Sequence, residues 1–187
     1  MVKIRTFIAL ELPEDLRKAL SLLQQRLRDQ IDCVRWVKPE NIHLTLQFLG
    51  SIDEDQVGSI SRILENVSHG VAPFIMHVAG IGAFPNTRNP KVIWVGMQTV
   101  EDDLTRFQMS IEDSLVTIGF PGEKRPYAPH LTLGRVKESR GKKMLGEVIE
   151  QFKHEDGGPF TADTVVFFKS DLLPTGPVYS ALKTIRL

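Results

Sequence analysis

The sequence predicts an α/β or α+β fold assembled from two related halves, and three observations carry that expectation. Strand-like and helix-like segments alternate along all 187 residues. The order strand, helix, strand, helix, strand runs once over about residues 1–90 and again over about 91–187, where one further strand is added. The tetrapeptide His-Leu-Thr-Leu occurs at His43–Leu46 and again at His130–Leu133. With 5 histidines and 11 threonines in the chain, about 0.3 His-x-Thr matches are expected by chance. Two matches that also agree at both leucines therefore point to a duplicated unit.

Each element has a local justification. Lys3 to Leu10 is rich in β-branched and aromatic residues and reads as a strand, and Pro13 suits the first turn of a helix. Leu16, Leu20, Leu23 and Leu27 then recur at helical spacing. Val34 to Val37 is a short extended piece leading to the first motif strand, which Gly50 is expected to close. Asp53 is a plausible N-cap for a helix carrying Val57, Ile60, Leu64 and Val67. Phe74 to Ala79 reads as a strand, and Gly80 to Pro90, rich in Gly, Pro and Asn, as the loop joining the halves. In the second half Lys91 to Met97 is a strand, and Thr99 with Asp102 forms a capping-box pattern before a helix carrying Leu104, Phe107, Ile111 and Leu115. The second motif strand follows, then a helix from about Gly141 to Lys153, one strand over Thr161 to Lys169, and a last one ending near Arg186.

Composition narrows the functional classes. The formal charge is zero, from 23 basic and 23 acidic residues, which argues against a bulk polyanion binder. Any nucleic acid must be gripped locally. The single cysteine, Cys33, cannot form an internal disulfide, and no charged segment followed by an apolar one opens the chain, so a reducing cytoplasm is the expected setting. No apolar run approaches membrane-spanning length. The histidines have no metal-ligand spacing, so neither a metal nor another cofactor is expected.

The motif strands carry the chemistry. Alternation puts His43, Thr45 and Gln47 on one face and Leu44, Leu46 and Phe48 on the other, with His130 and Thr132 likewise opposed to Leu131 and Leu133. If the halves pack about a pseudo-twofold axis, His43 and His130 meet across a cleft although far apart in sequence. Paired imidazoles are suited to general acid and base catalysis, because one can be neutral while the other is protonated, and each has a threonine hydroxyl beside it. Such a site suits a phosphodiester, whose in-line hydrolysis needs a base on the attacking water and an acid on the departing oxygen.

Arg35-Trp36-Val37, Pro39 to Gly50 and Arg125 to Arg135 together resemble the paired signatures of the two-histidine (2H) phosphoesterase superfamily, and within it the RNA 2′,3′-cyclic phosphodiesterase family, also called 2′-5′ RNA ligase. The similarity extends through Gly82-Ala83-Phe84-Pro85 and Val92-Ile93-Trp94 and spans nearly the whole chain. It implies an α+β fold as a single domain: two pseudo-twofold-related lobes of mainly antiparallel sheet, flanked by helices, around a central cleft. It also implies a metal-independent enzyme that opens RNA 3′ ends bearing a 2′,3′-cyclic phosphate to 2′-phosphates. His43 would be the proton donor, His130 the proton acceptor, and Thr45 and Thr132 would hold nonbridging oxygens.

Arg125 and Tyr127 are candidates for contacting phosphate and stacking on a base. Phe48 and Trp36 are read as core, and Arg135 falls opposite His130 if the strand stays regular. His69, His77 and His154 lack a matching threonine and are read as structural or solvated. The expected partners are RNA ends, with nucleotides as smaller ligands and the protein a monomer. Two alternatives use the same cleft: RNA end-joining through a 2′-5′ linkage, and a non-catalytic receptor for RNA ends or nucleotides. Two titrating histidines argue against the receptor, because binding alone favours permanent cations such as arginine.

Overall fold

The computed structural model describes residues 2–99, 102–123, 125–137 and 142–187. Nine strands are formed: β1 (Lys3–Leu10), β2 (Val34–Trp36), β3 (Leu44–Asp53), β4 (Phe74–Phe84), β5 (Val92–Thr99), β6 (His130–Val136), β7 (Asp156–Ala162), β8 (Thr164–Leu173) and β9 (Gly176–Arg186). Four helices alternate with them: α1 (Glu14–Arg28), α2 (Val57–Ser68), α3 (Asp103–Val116) and α4 (Lys142–Gln151). The strands run β7-β4-β5-β6-β3-β1-β8-β9, with β2 on the edge of β6, and every pairing is antiparallel. The fold is therefore α+β.

Two lobes follow from where this sheet is thin. β3 and β6 are paired at one position, Leu44 opposite Leu131, while β3-β1-β8-β9 on one side and β7-β4-β5-β6 on the other are extensively bonded. Each lobe takes strands from both halves of the chain, because β4 crosses into the second lobe and β8 and β9 return to the first. Helices cross too, so that α2 and α3 cover the first lobe and α1 and α4 the second. Arg26 of α1, ion-paired with Glu155, lies 4.9 Å over the Phe152 ring just beyond α4.

The helices form as their apolar spacing predicts. Leu16, Leu20, Leu23 and Leu27 of α1 are all buried, and each such side chain gains about 1.5–3 kcal/mol over exposure. Acidic Glu14 and Asp15 in the first turn and basic Arg26 and Arg28 in the last suit the helix dipole. Gln24 sits in the same buried stripe because its amide has work there: it donates to the carbonyls of Val37 and Leu133, both at 2.8 Å. That pins α1 to the second motif strand.

Several expected boundaries move, each for a nonlocal reason. Gly50 does not close β3, and Gly80 does not end β4; both take positive φ (71° and 76°) at irregularities in the ladder and the strands continue past them. The expected loop from Gly80 is thus strand as far as Phe84. The single strand expected over Thr161–Lys169 is two, β7 and β8, separated by Asp163 where the chain passes from one lobe to the other. β7 contains Gly157, Gly158 and Pro159, a poor strand sequence that an edge position accommodates. Thr99 ends β5 rather than capping α3, whose N-cap is Asp102. Asp53 does cap, but at the head of a short 3-10 turn leading into α2, with its N–H donating to the Gln56 side chain at 3.0 Å. The expected helix start at Gly141 lies outside the described residues.

Candidate active site

The Leu44–Leu131 pair is the pivot of the site. Both leucines are 0% exposed, on the helix-covered side of the sheet, and residues flanking a paired position in a ladder point to the opposite face. His43 and Thr45 therefore share a face with His130 and Thr132, about a pseudo-twofold through the pair. Neither threonine hydroxyl has a hydrogen-bond partner among the described residues.

The two imidazoles are held alike. His43 Nδ1–H donates to the Asn41 carbonyl at 2.9 Å, and His130 Nδ1–H donates to the Ala128 carbonyl at 2.7 Å, each two residues back along the chain. A neutral ring fixed in this way keeps its lone pair on Nε2, free to take a proton or, once charged, to give one. Around them the symmetry breaks. Phe7 stacks on His43 at 4.6 Å and Tyr179 meets it edge-on at 5.3 Å, whereas Phe84 meets His130 edge-on at 4.9 Å. Burial in the aromatic box lowers the His43 pKa to about 4, with the Asn41 hydrogen bond opposing the shift. A cavity of about 530 Å³ opens beside His130, lined by Phe84, Trp94, Gln98, Glu150 and Lys153 among others, and does not reach His43. Trp94 lies against Gly82, where an added Cβ would come within 2.4 Å of the indole, so the glycine is needed for the ring to lie flat. Its Nε1 is buried without a partner among the described residues.

The pairing also corrects the expected faces beyond each threonine. Thr45 pairs with Ala9 and Gln47 with Ile8, leaving Leu46 as an extra residue; Thr132 pairs with Trp94 and Gly134 with Ile93, leaving Leu133 extra. The same bulge thus occurs in both motifs, and it reverses the alternation after it. Gln47 turns inward, 9% exposed, and Phe48, expected in the core, is 67% exposed on the histidine face. Arg135, expected on the opposite face, is brought round to that of His130 and is close enough to Tyr179 to act on its phenol. A sequence signal existed: regular alternation would have placed Arg135 among the buried leucines.

Tyr127 is committed to the protein. Its hydroxyl donates to the Thr45 carbonyl at 3.0 Å and burial pushes its pKa up, so it straps the loop before the second motif onto the first motif strand. Arg125 is exposed in the same loop. Among the remaining histidines, His77 pairs with Asp156 at 2.7 Å at the far side of the second lobe. Among the described residues no group of three or more His, Cys, Asp or Glu comes together as a metal site. No helix there is long and apolar enough to cross a membrane.

The LigT like Phosphoesterase family matches this chain twice, over residues 10–94 and 95–179. The chain belongs to that family. Each matched segment contains one copy of the repeated tetrapeptide. Among its relatives, the RNA 2′,3′-cyclic phosphodiesterase of Methanothermobacter thermautotrophicus is 36% identical over 186 residues, covering all of both chains. The protein of the same name from Methanocaldococcus jannaschii is 34% identical, over 96% of this chain and 99% of its own. Of solved structures, TT0787 of Thermus thermophilus superposes with a TM-score of 0.85 at 27% identity, over 98% of each chain. Escherichia coli LigT with 3′-AMP gives 0.79 at 21% identity, over 100% of this chain and 99% of its own, a likeness of fold.

Proposed function

We propose that this protein hydrolyses the terminal 2′,3′-cyclic phosphodiester of RNA to a 2′-phosphomonoester by paired-histidine acid and base catalysis. The observation that carries the proposal is the arrangement about Leu44 and Leu131: two imidazoles with available Nε2 atoms and two unpartnered hydroxyls on one face. The relatives named RNA 2′,3′-cyclic phosphodiesterase support the choice of substrate.

In this scheme His130 Nε2 takes a proton from water, whose oxygen attacks phosphorus. The P–O3′ bond breaks in line, His43 Nε2 protonates O3′, and the phosphate stays on O2′. Thr45, Thr132 and Arg135 bind the nonbridging oxygens. The surroundings support these roles, since His130 borders the open cavity from which water enters while aromatic rings screen His43. His43 is neutral near pH 7 in the free protein, and the anionic substrate raises its proton affinity on binding. No metal or other cofactor takes part, and the protein acts as a cytoplasmic monomer.

The cavity beside His130 also favours a second activity, 2′-5′ end-joining. It is far larger than one water requires and admits a nucleoside whose 5′-hydroxyl attacks in water's place. Water's abundance makes hydrolysis the main reaction. The test is incubation of purified protein with a short RNA bearing a 2′,3′-cyclic phosphate. A 2′-phosphate product resistant to a 3′-specific phosphatase is expected; a 3′-phosphate would mean reversed substrate or exchanged histidine roles.

A further inference from the structure

Arg35 and Arg135 stand directly opposite each other across β2 and β6. Like charges in that position repel. Arginines of the helices such as Arg17, Arg26 and Arg106 have carboxylate partners. Arg35 and Arg135 have none among the described residues.

Both point to the histidine face. The neighbours of Arg35 on β2, Val34 and Trp36, crowd Gly134 from the other face, where Trp36 lies 5.8 Å from the Arg28 guanidinium of α1. Arg135 is brought to the same face by the bulge after Thr132. On this face β1, β2, β3, β5 and β6 carry Lys3, Arg5, Arg35 and Arg135 against one carboxylate, Asp53, which is paired in register with Lys3. Among the described residues Arg5, Arg35 and Arg135 therefore have no carboxylate opposite them on this face.

The two guanidiniums are not equivalent. Arg135, like Arg5, acts electrostatically on the phenol of Tyr179, whose ring meets His43 edge-on. Arg35 is one strand away, about 5 Å across the ladder, on the edge of β6 that β3 meets farther along at Leu131. We infer that Arg35, beside Arg135, forms a subsite for a second phosphate, the one on the 5′ oxygen of the nucleotide that carries the cyclic phosphate. The inference rests on the proposed hydrolase reading and deepens it, making the preferred substrate a polynucleotide end in place of a cyclic mononucleotide. Arginine suits the task because its planar fork pairs with phosphate through two charge-assisted hydrogen bonds. A bound phosphate also relieves the repulsion between the two side chains.

The experiment compares kcat/KM for three substrates with the same base: a nucleoside 2′,3′-cyclic phosphate, its 5′-phosphorylated form, and a dinucleotide ending in the cyclic phosphate. It uses the full chain, the Arg35→Gln variant, and Arg62→Gln on α2 as a surface control. In the wild type a 5′-linked phosphate should raise kcat/KM about tenfold or more, from one charge-assisted contact. Arg35→Gln should remove most of that gain, and Arg62→Gln should keep it. The wild-type salt dependence should be steeper by about 0.7 in log–log slope for the dinucleotide than for the cyclic mononucleotide. A gain with the 5′-monophosphate alone shows that a phosphate suffices; a gain confined to the dinucleotide shows that a diester is recognised, and either supports the subsite. Absence of a wild-type gain, or its retention in Arg35→Gln, overturns it. Loss of folding in Arg35→Gln would also overturn it, since removing one of two like charges should leave the melting temperature equal or higher. If the wild type turns over none of the three, the hydrolase reading fails, and calorimetric Kd ratios for the same series still decide the subsite.

Discussion

Lowering the pH should unfold this protein partly through one side chain, His43. Its pKa is lowered from 6.5 to about 4 because the ring is packed against Phe7 and Tyr179, where a charged imidazole loses most of its hydration. At 1.36 kcal/mol per unit the shift is worth about 3 kcal/mol. The folded pKa lies below the unfolded one, so between those values the unfolded chain binds more protons. The stability conferred by the neutral ring is therefore fully present above pH 6.5 and is lost as the pH falls toward 4. Denaturant unfolding of the wild type and His43→Gln at pH 7 and pH 4 should show the wild type losing up to about 3 kcal/mol more. Cε1–H NMR titration should place the His43 pKa near 4, and inorganic phosphate should raise it. The same coupling displaces kcat/KM, which reports the free enzyme, toward acid relative to kcat, which reports the complex. A His43 that titrates between pH 6 and 7 without ligand, or parallel stability losses in the two proteins, would refute the argument.

Substituting His43→Ala or His130→Ala should each lower turnover of a cyclic-phosphate RNA by roughly 10²- to 10⁴-fold, with the double variant losing less than the product of the two. Near-normal turnover by either single variant rejects the mechanism. Thr45→Val and Thr132→Val should each cost about 1.5–3 kcal/mol of transition-state stabilisation in kcat/KM, since each hydroxyl is free to donate to an anionic oxygen. Activity should survive EDTA; loss with rescue by one divalent ion would show that a metal takes part.

Much of the fold was legible in the chain because it depends on local spacing. Leu16, Leu20, Leu23 and Leu27 form one buried stripe in whatever surroundings, so α1 could be placed from four residues. The repeated His-Leu-Thr-Leu was legible for the same reason: over three or four residues the strand period holds, and His43, Thr45, His130 and Thr132 do share a face. Beyond the threonines it does not hold. The extra residues Leu46 and Leu133 are defined by partners on β1 and β5, tens of positions away, and nothing within the motif counts how many residues the neighbouring strand supplies. Phe48 and Arg135 were misplaced for that one reason.

What the sequence determined by itself is the duplication, the helix and strand periods, and the identity of two imidazoles and two hydroxyls on the polar faces of paired strands. Only the tertiary structure decided that β4 and β8 exchange between lobes, that Tyr127 serves as a strap, that Arg135 turns to the histidine face, and that His43 sits in an aromatic box. The division has a physical cause. Periodicity reports which side of an element is apolar, a property of neighbours along the chain. Register, desolvation and charge proximity depend on which distant residues fill the space opposite, and these become definite when the sheet closes at Leu44 and Leu131.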